Sequence, residues 1–185
     1  MSPVLSPEEK DDVLLACRYG DLPDVEQFVA QFGPDSLNDI RDDLGNTVLH
    51  MVCANGHIDV LDYLLKIVSP SLLSVQNDAK STALHWAAMN SHLEIAQKLV
   101  KHPQGPGIDL IDIKNDAGRS PLGEAENNGW EEGAKWFVEV MNLDDEGKEE
   151  DELKPAEGAT DIEVEIQDAD GQIAKMKIAS PSSAK

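Results

Sequence analysis

The side chains with the widest chemical reach in this 185-residue chain are five histidines, two cysteines and 36 carboxylates. His50 and His85 each follow a threonine by three positions, and His57 and His92 follow those histidines by seven. A metal site would need closely spaced ligands, as in His-Glu-x-x-His on one helix or a cysteine pair, and neither spacing occurs. Cys17 and Cys53 stand alone, too few for the disulfide framework of a small secreted domain. Acid–base chemistry needs a carboxylate or imidazole held rigidly at a fixed distance. The carboxylates are densest in the C-terminal stretch, where the composition argues against a fixed geometry. No phosphate loop, dinucleotide fingerprint, nucleophile elbow or kinase set is present. The residues therefore predict no catalytic residue, no metal and no cofactor, and a protein that is not an enzyme.

Charge narrows the classes further. Against 36 acidic residues stand 15 basic ones, a formal charge of −21. Phosphate neutralisation needs the opposite balance, so direct nucleic-acid binding is not expected, nor docking on an anionic membrane. No run approaches the roughly 18 apolar residues of a membrane span. Met1 to Lys10 is polar and acidic, unlike a signal or transit peptide. A soluble, monomeric protein of the cytoplasm and nucleus is the expectation. No basic cluster marks a nuclear import signal.

The elements that would hold these residues emerge from self-similarity. Gly45-Asn-Thr-Val-Leu-His-Met-Val-Cys-Ala-Asn-Gly-His57 recurs as Lys80-Ser-Thr-Ala-Leu-His-Trp-Ala-Ala-Met-Asn-Ser-His92, with Thr47 and Thr82 35 residues apart. A weaker copy runs from Gly118 to Gly129, with Ser120 38 residues after Thr82. An upstream copy, Val13 to Gly20, lacks the opening motif. This is the pattern of the ankyrin repeat, with its T-P-L-H-x-A signature and period near 33 residues. The fold class expected is an all-α ankyrin-repeat solenoid of about four repeats over residues 1–142, its end repeats acting as caps. Each unit starts a short first helix at a hydroxyl N-cap and ends it at Gly20, Gly56 or Gly129, with Ser91 standing in at the third. A second helix follows, with apolar residues at helical spacing such as Leu61, Leu64 and Leu65, or Ile95, Leu99 and Val100. At these positions His50 and His85 are expected to hydrogen-bond backbone, His57 and His92 to be structural, and Cys17 and Cys53 to be core thiols.

An ankyrin stack presents first helices and hairpin tips along one concave face. The register sets Arg18, Tyr19, Met51, Asn55, Trp86, Met89, Asn90, Glu124, Asn127 and Asn128 outward on the first helices, with Trp130 just after. Asp42, Asp43, Asp78 and Asp116 would line an acidic rim. Trp86 and Met89 are the expected anchor, since bulk of this kind is favoured at binding surfaces.

Beyond Asn142 the composition changes. Asp144 to Asp170 carries 13 acidic residues and two lysines, a local net of −11. Residues 143–185 read as an acidic, largely disordered tail. Within it Thr160 to Ile166 and Gln172 to Ile178 alternate with period two about Asp170-Gly171, the pattern of a hairpin that could form on a partner. A groove with an aromatic anchor and an acidic tail together fit a basic protein client. The groove is expected to hold one segment as a helix; the tail steers and screens basic surface and competes with RNA.

Asp12 to Gly20, Thr82-Ala-Leu-His-Trp-Ala-Ala88, Glu124-Ala-Glu-Asn-Asn-Gly129 and the acidic tail resemble the small fungal ankyrin-repeat chaperones dedicated to one newly made small-subunit ribosomal protein, the KH-domain protein S-three. The resemblance implies a holdase that binds the client's N-terminal region, keeps it soluble, accompanies it toward the nucleus and releases it to the maturing small subunit. It assigns no client-contacting residue. A general ankyrin adaptor in signalling or transcription, or a chaperone of another basic client such as histones, are the alternatives that the residues leave open.

Overall fold

In a computed structural model of the chain, residues 5–152, 163–167 and 173–177 are described. The chain divides into two compact units, Met1–Asp144 and Asp145–Lys185.

Helix pairs build the first unit. The first helices are α1 (Pro7–Tyr19), α3 (Val48–Asn55), α5 (Ala83–Met89) and α8 (Pro121–Asn127), and each packs on the next in that order. The second helices α2 (Leu22–Phe32), α4 (Ile58–Leu64) and α6 (Leu93–Val100) form a layer behind them. A single turn, α7 (Asp109–Asp112), precedes α8, and α9 (Glu131–Glu152) follows it. This turn and a 3₁₀ turn at Pro70–Ser74 lie in the connections between repeats and pack into the stack through the buried Leu72, Leu73, Leu110 and Ile111. The helical repeats expected from the sequence are all present.

Local chemistry explains where the helices begin. Ser6 caps α1 in a reciprocal box: the Glu9 backbone N–H donates to Ser6 Oγ at 3.2 Å, and the Ser6 N–H donates to Glu9 Oε2 at 2.7 Å. Thr47 and Thr82 do the same with histidine in the glutamate's place. Gly20 and Gly56 end α1 and α3 at φ of 76° and 82°, and the imidazoles of His57 and His92 occupy the space a Cβ would need. Ser91 keeps the left-handed geometry at φ 61° without being glycine, a conformation strained for a residue with a Cβ.

The core is the continuous seam between the layers. Leu49, Val52, Leu61, Leu64, Leu84, Ala87, Ala88, Leu99 and Phe137 are essentially inaccessible to solvent. Each large side chain among them contributes about 1.5–3 kcal/mol by burial. Cys17 and Cys53 are buried free thiols within it, as expected. Burial raises both thiols, Cys17 to about 12, so neither forms a reactive thiolate at neutral pH.

The sequence change at Asn142 does not stop the last helix. α9 runs on to Glu152, because Glu and Lys are good helix formers and Gly147 is the only helix-breaking residue in that run. In the second unit β1 (Glu163–Gln167) and β2 (Ile173–Lys177) pair antiparallel, with Glu163 opposite Lys177 and Glu165 opposite Lys175. The proposed Asp170-Gly171 turn, and most of the stretch read as disordered, lie outside the described residues.

Candidate functional site

The first helices carry three outward columns, spaced as i, i+3 and i+4 along each helix. Leu15, Met51, Trp86 and Glu124 occupy the first; Arg18, Ala54, Met89 and Asn127 the second; Tyr19, Asn55, Asn90 and Asn128 the third. Arg18, Tyr19, Asn55, Met89, Asn90, Asn127 and Asn128 are exposed, and Met51 and Trp86 are half-buried. Trp86 stands edge-on to His50, ring centroids 6.1 Å apart and planes at 88°. One flank of the indole thus packs on the second repeat while another faces solvent. Asn55 and Asn90 donate to the carbonyls of Met51 and Trp86, both at 2.8 Å, which holds each amide against its own helix. The result is an apolar strip of Leu15, Met51, Trp86 and Met89 bordered by polar side chains. Leu15 was not among the expected residues, although Gly20 fixes the register that places it beside Met51.

Two outward assignments are corrected. Glu124 is buried: its carboxylate accepts from Asn115 Nδ2 at 2.6 Å and pairs with Arg119 Nε at 3.0 Å, so its charge is spent inside the fourth repeat. Trp130 is also buried, edge-on to Phe137 at 6.2 Å, and it lies where a Cβ on Gly133 would have to go. It follows Gly123 by seven residues, as His57 follows His50, and so fills the inward position that starts a second helix.

The acidic rim divides by role. Asp42 builds its tip, accepting from the backbone N–H groups of Leu44 and Asn46 at 2.9 and 2.8 Å. Asn77 and Asn115 repeat that role in the next two units. The tips are then stitched together, the Asp78 N–H donating to Leu44 O and the Asp116 N–H to Ala79 O, both at 3.0 Å. Asp116 also pairs with Lys80 at 2.8 Å. Asp43 and Asp78 are exposed, and no side-chain hydrogen bond or ion pair engages their carboxylates among the described residues.

The histidines serve the scaffold. Thr47 N–H donates to His50 Nδ1 at 3.1 Å, which leaves the proton on Nε2, donating to Ser81 O at 2.9 Å. His85 repeats this with Thr82 and Arg119 O. Burial is the main reason that the His50 pKa falls from 6.5 to about 4, with Arg41 and His85 adding to it and the Ser81 bond and Asp42 opposing it. His85 is lowered for the same leading reason. His57, His92 and His102 reach backward through Nε2 to Arg18 O, Ala54 O and Leu65 O at 2.9, 3.2 and 3.1 Å. Among the described residues no group of three His, Cys, Asp or Glu side chains could hold a metal ion, and no helix is long and apolar enough to cross a membrane.

Residues 13–112 match the family described as ankyrin repeats (3 copies). The ankyrin repeat-containing protein YAR1 of Saccharomyces cerevisiae is 30% identical over 166 residues, 86% of this chain and 82% of the relative. Among solved structures, a chain of the crystal structure of the yeast ribosomal protein Rps3 in complex with its chaperone Yar1 matches with a TM-score of 0.68 and 30% identity, covering 74% of this chain and 95% of that chain.

Proposed function

The chain belongs to the ankyrin-repeat family, and we propose that within it this protein is a dedicated, non-enzymatic chaperone of the small-subunit ribosomal protein S3. The observation that carries the proposal is the near full-length likeness to yeast Yar1, both in sequence and to a chain of the Rps3–Yar1 complex. The physical features agree with the task. A ribosomal protein made away from rRNA exposes cationic surface that binds RNA indiscriminately. A carrier with a net charge of −21 attracts that surface at long range and competes with phosphate for it.

In this reading the first-helix face is the specific contact. Trp86, half-buried against His50 and so already oriented, seats an apolar residue of a client helix, and Met51 and Met89 adapt around it. Asp43 and Asp78 meet cations at the rim. The acidic residues after Asn142 act less specifically, shielding neighbouring basic surface of the client's N-terminal region until the small subunit receives it. The protein works as a monomer in the cytoplasm and nucleus, entering the nucleus with its client.

The test mixes the full chain with purified ribosomal protein S3. A tight complex is expected that keeps the client soluble and blocks its binding to a generic RNA. Trp86→Ala should weaken the complex by about 30-fold, the loss typical of a central anchor, while lowering the melting temperature little. Absence of a complex with the wild-type chain refutes the function; a large melting-temperature drop with intact binding returns Trp86 to the core.

A further inference from the structure

The first repeat is covered by its neighbours α3 and α4 on one side. In the second repeat Val48, Val60 and Leu64 are fully buried. Their counterparts 36 residues earlier are Asp12, Asp24 and Phe28. Asp12 and Asp24 thus leave open a surface that an interior repeat buries, as a cleft of about 480 Å³ between α1 and α2, while Phe28 beneath them stays buried in the core. Phe28 and Phe32, ring centroids 4.9 Å apart, form part of its lining. Leu15 and Tyr19 line it too and are 44% and 73% exposed, two of the few large apolar side chains that face solvent.

Charge gives the cleft a direction. Glu9 and Asp21 at its margin are committed to helix capping, one in the box with Ser6 and the other accepting from the Asp24 N–H at 3.3 Å. Among the described residues no ion pair or side-chain hydrogen bond engages the carboxylates of Asp12 and Asp24, both of which are exposed. No lysine or arginine lines the cleft. A cap repeat needs polar residues to stay soluble, but glutamine or lysine would serve equally at the positions of Asp12 and Asp24. Aromatic lining with uncompensated negative charge is complementary to a cationic, amphipathic element. Its shape is that of a helix-packing groove, since a preceding repeat would lay its helices there.

Resting on the chaperone reading above, we infer that this end cleft is a second client-docking surface, taking a Lys/Arg-bearing amphipathic helix of the ribosomal client with its apolar edge on Phe32 and Tyr19 and its cations facing Asp12 and Asp24. It meets the Trp86 strip only at Leu15, so the client is held at two adjoining places, and capture at one raises the local concentration at the other.

The experiment uses the complex of the full chain with ribosomal protein S3. Zero-length carbodiimide coupling, which joins only a lysine and a carboxylate already in contact, is read by mass spectrometry on the wild-type complex. Amide links from client lysines to Asp12 or Asp24 are expected. In parallel, the Asp12→Lys/Asp24→Lys double variant should bind about tenfold more weakly in low salt, with the exposed pair Glu131→Lys/Glu132→Lys as a charge-matched control changing affinity less than about twofold. Both positions are exposed, and a thermal melt checks that the variant is folded. No link at either residue together with unchanged affinity overturns the second surface while leaving the chaperone function standing. Failure of the wild-type chain to bind the client removes both.

Discussion

Lowering the pH should loosen this protein through His50. In the folded state its Nδ1 accepts the Thr47 N–H and its Nε2 proton is given to Ser81 O. Protonation at Nδ1 would set two N–H groups against each other in a site closed to water. The folded pKa is about 4 against an ordinary 6.5. A depressed histidine pKa means that the folded state prefers the neutral ring. Its contribution is therefore complete above pH 6.5 and is lost as the pH falls toward 4. Over the whole window the loss is about 3 kcal/mol, and about 2 kcal/mol is gone at pH 5. Carboxylates titrate over the same range, and relief of their mutual repulsion acts in the opposite sense, so the absolute pH dependence of the wild type is not the test. Urea unfolding of the wild type and of His50→Gln at pH 7.5 and pH 5 isolates the imidazole. The variant should start less stable by about 1–3 kcal/mol, from the lost buried hydrogen bonds, and should lose about 2 kcal/mol less on acidification. Parallel losses in the two proteins would refute the reasoning.

Two further substitutions test the scaffold. Gly20→Ala and Gly56→Ala each force a Cβ into a left-handed residue and onto the imidazole of His57 or His92, and each should cost more than about 1 kcal/mol in chemical denaturation. Trp130→Ala removes a buried indole from Phe137 and Gly133 and should cost about 3–5 kcal/mol of stability by urea unfolding, with client affinity unchanged in the fraction that remains folded.

Much of this architecture was legible because ankyrin repeats write the same physics several times. The Thr-x-Leu-His motif carries its own helix cap, so Thr47, His50, Thr82 and His85 declare both a helix start and a backbone bridge. Three positions were misread, the first because a register names a column but not what lies across it. Glu124 sits in the Trp86 column, yet Arg119 and Asn115 fold back from the tip and draw it inward. Trp130 reads as an exposed aromatic until it is aligned with His57 and His92. Leu15 escapes notice because its repeat lacks the opening motif. The run to Glu152 was hidden differently: the same acidic composition suits a solvated helix and a chain without structure, and apolar periodicity has nothing to report in either. The outward positions of Trp86 and Met89 were readable, but what rests on them is a property of a second molecule.

The imidazole bridges are unevenly distributed. Among the described residues, the second and third repeats are joined by three, from His50, His92 and His102, while His57 alone links the first repeat to the second and His85 alone links the third to the fourth. Repeat arrays come apart at their weaker seams. The outer repeats should therefore peel away while the central pair endures.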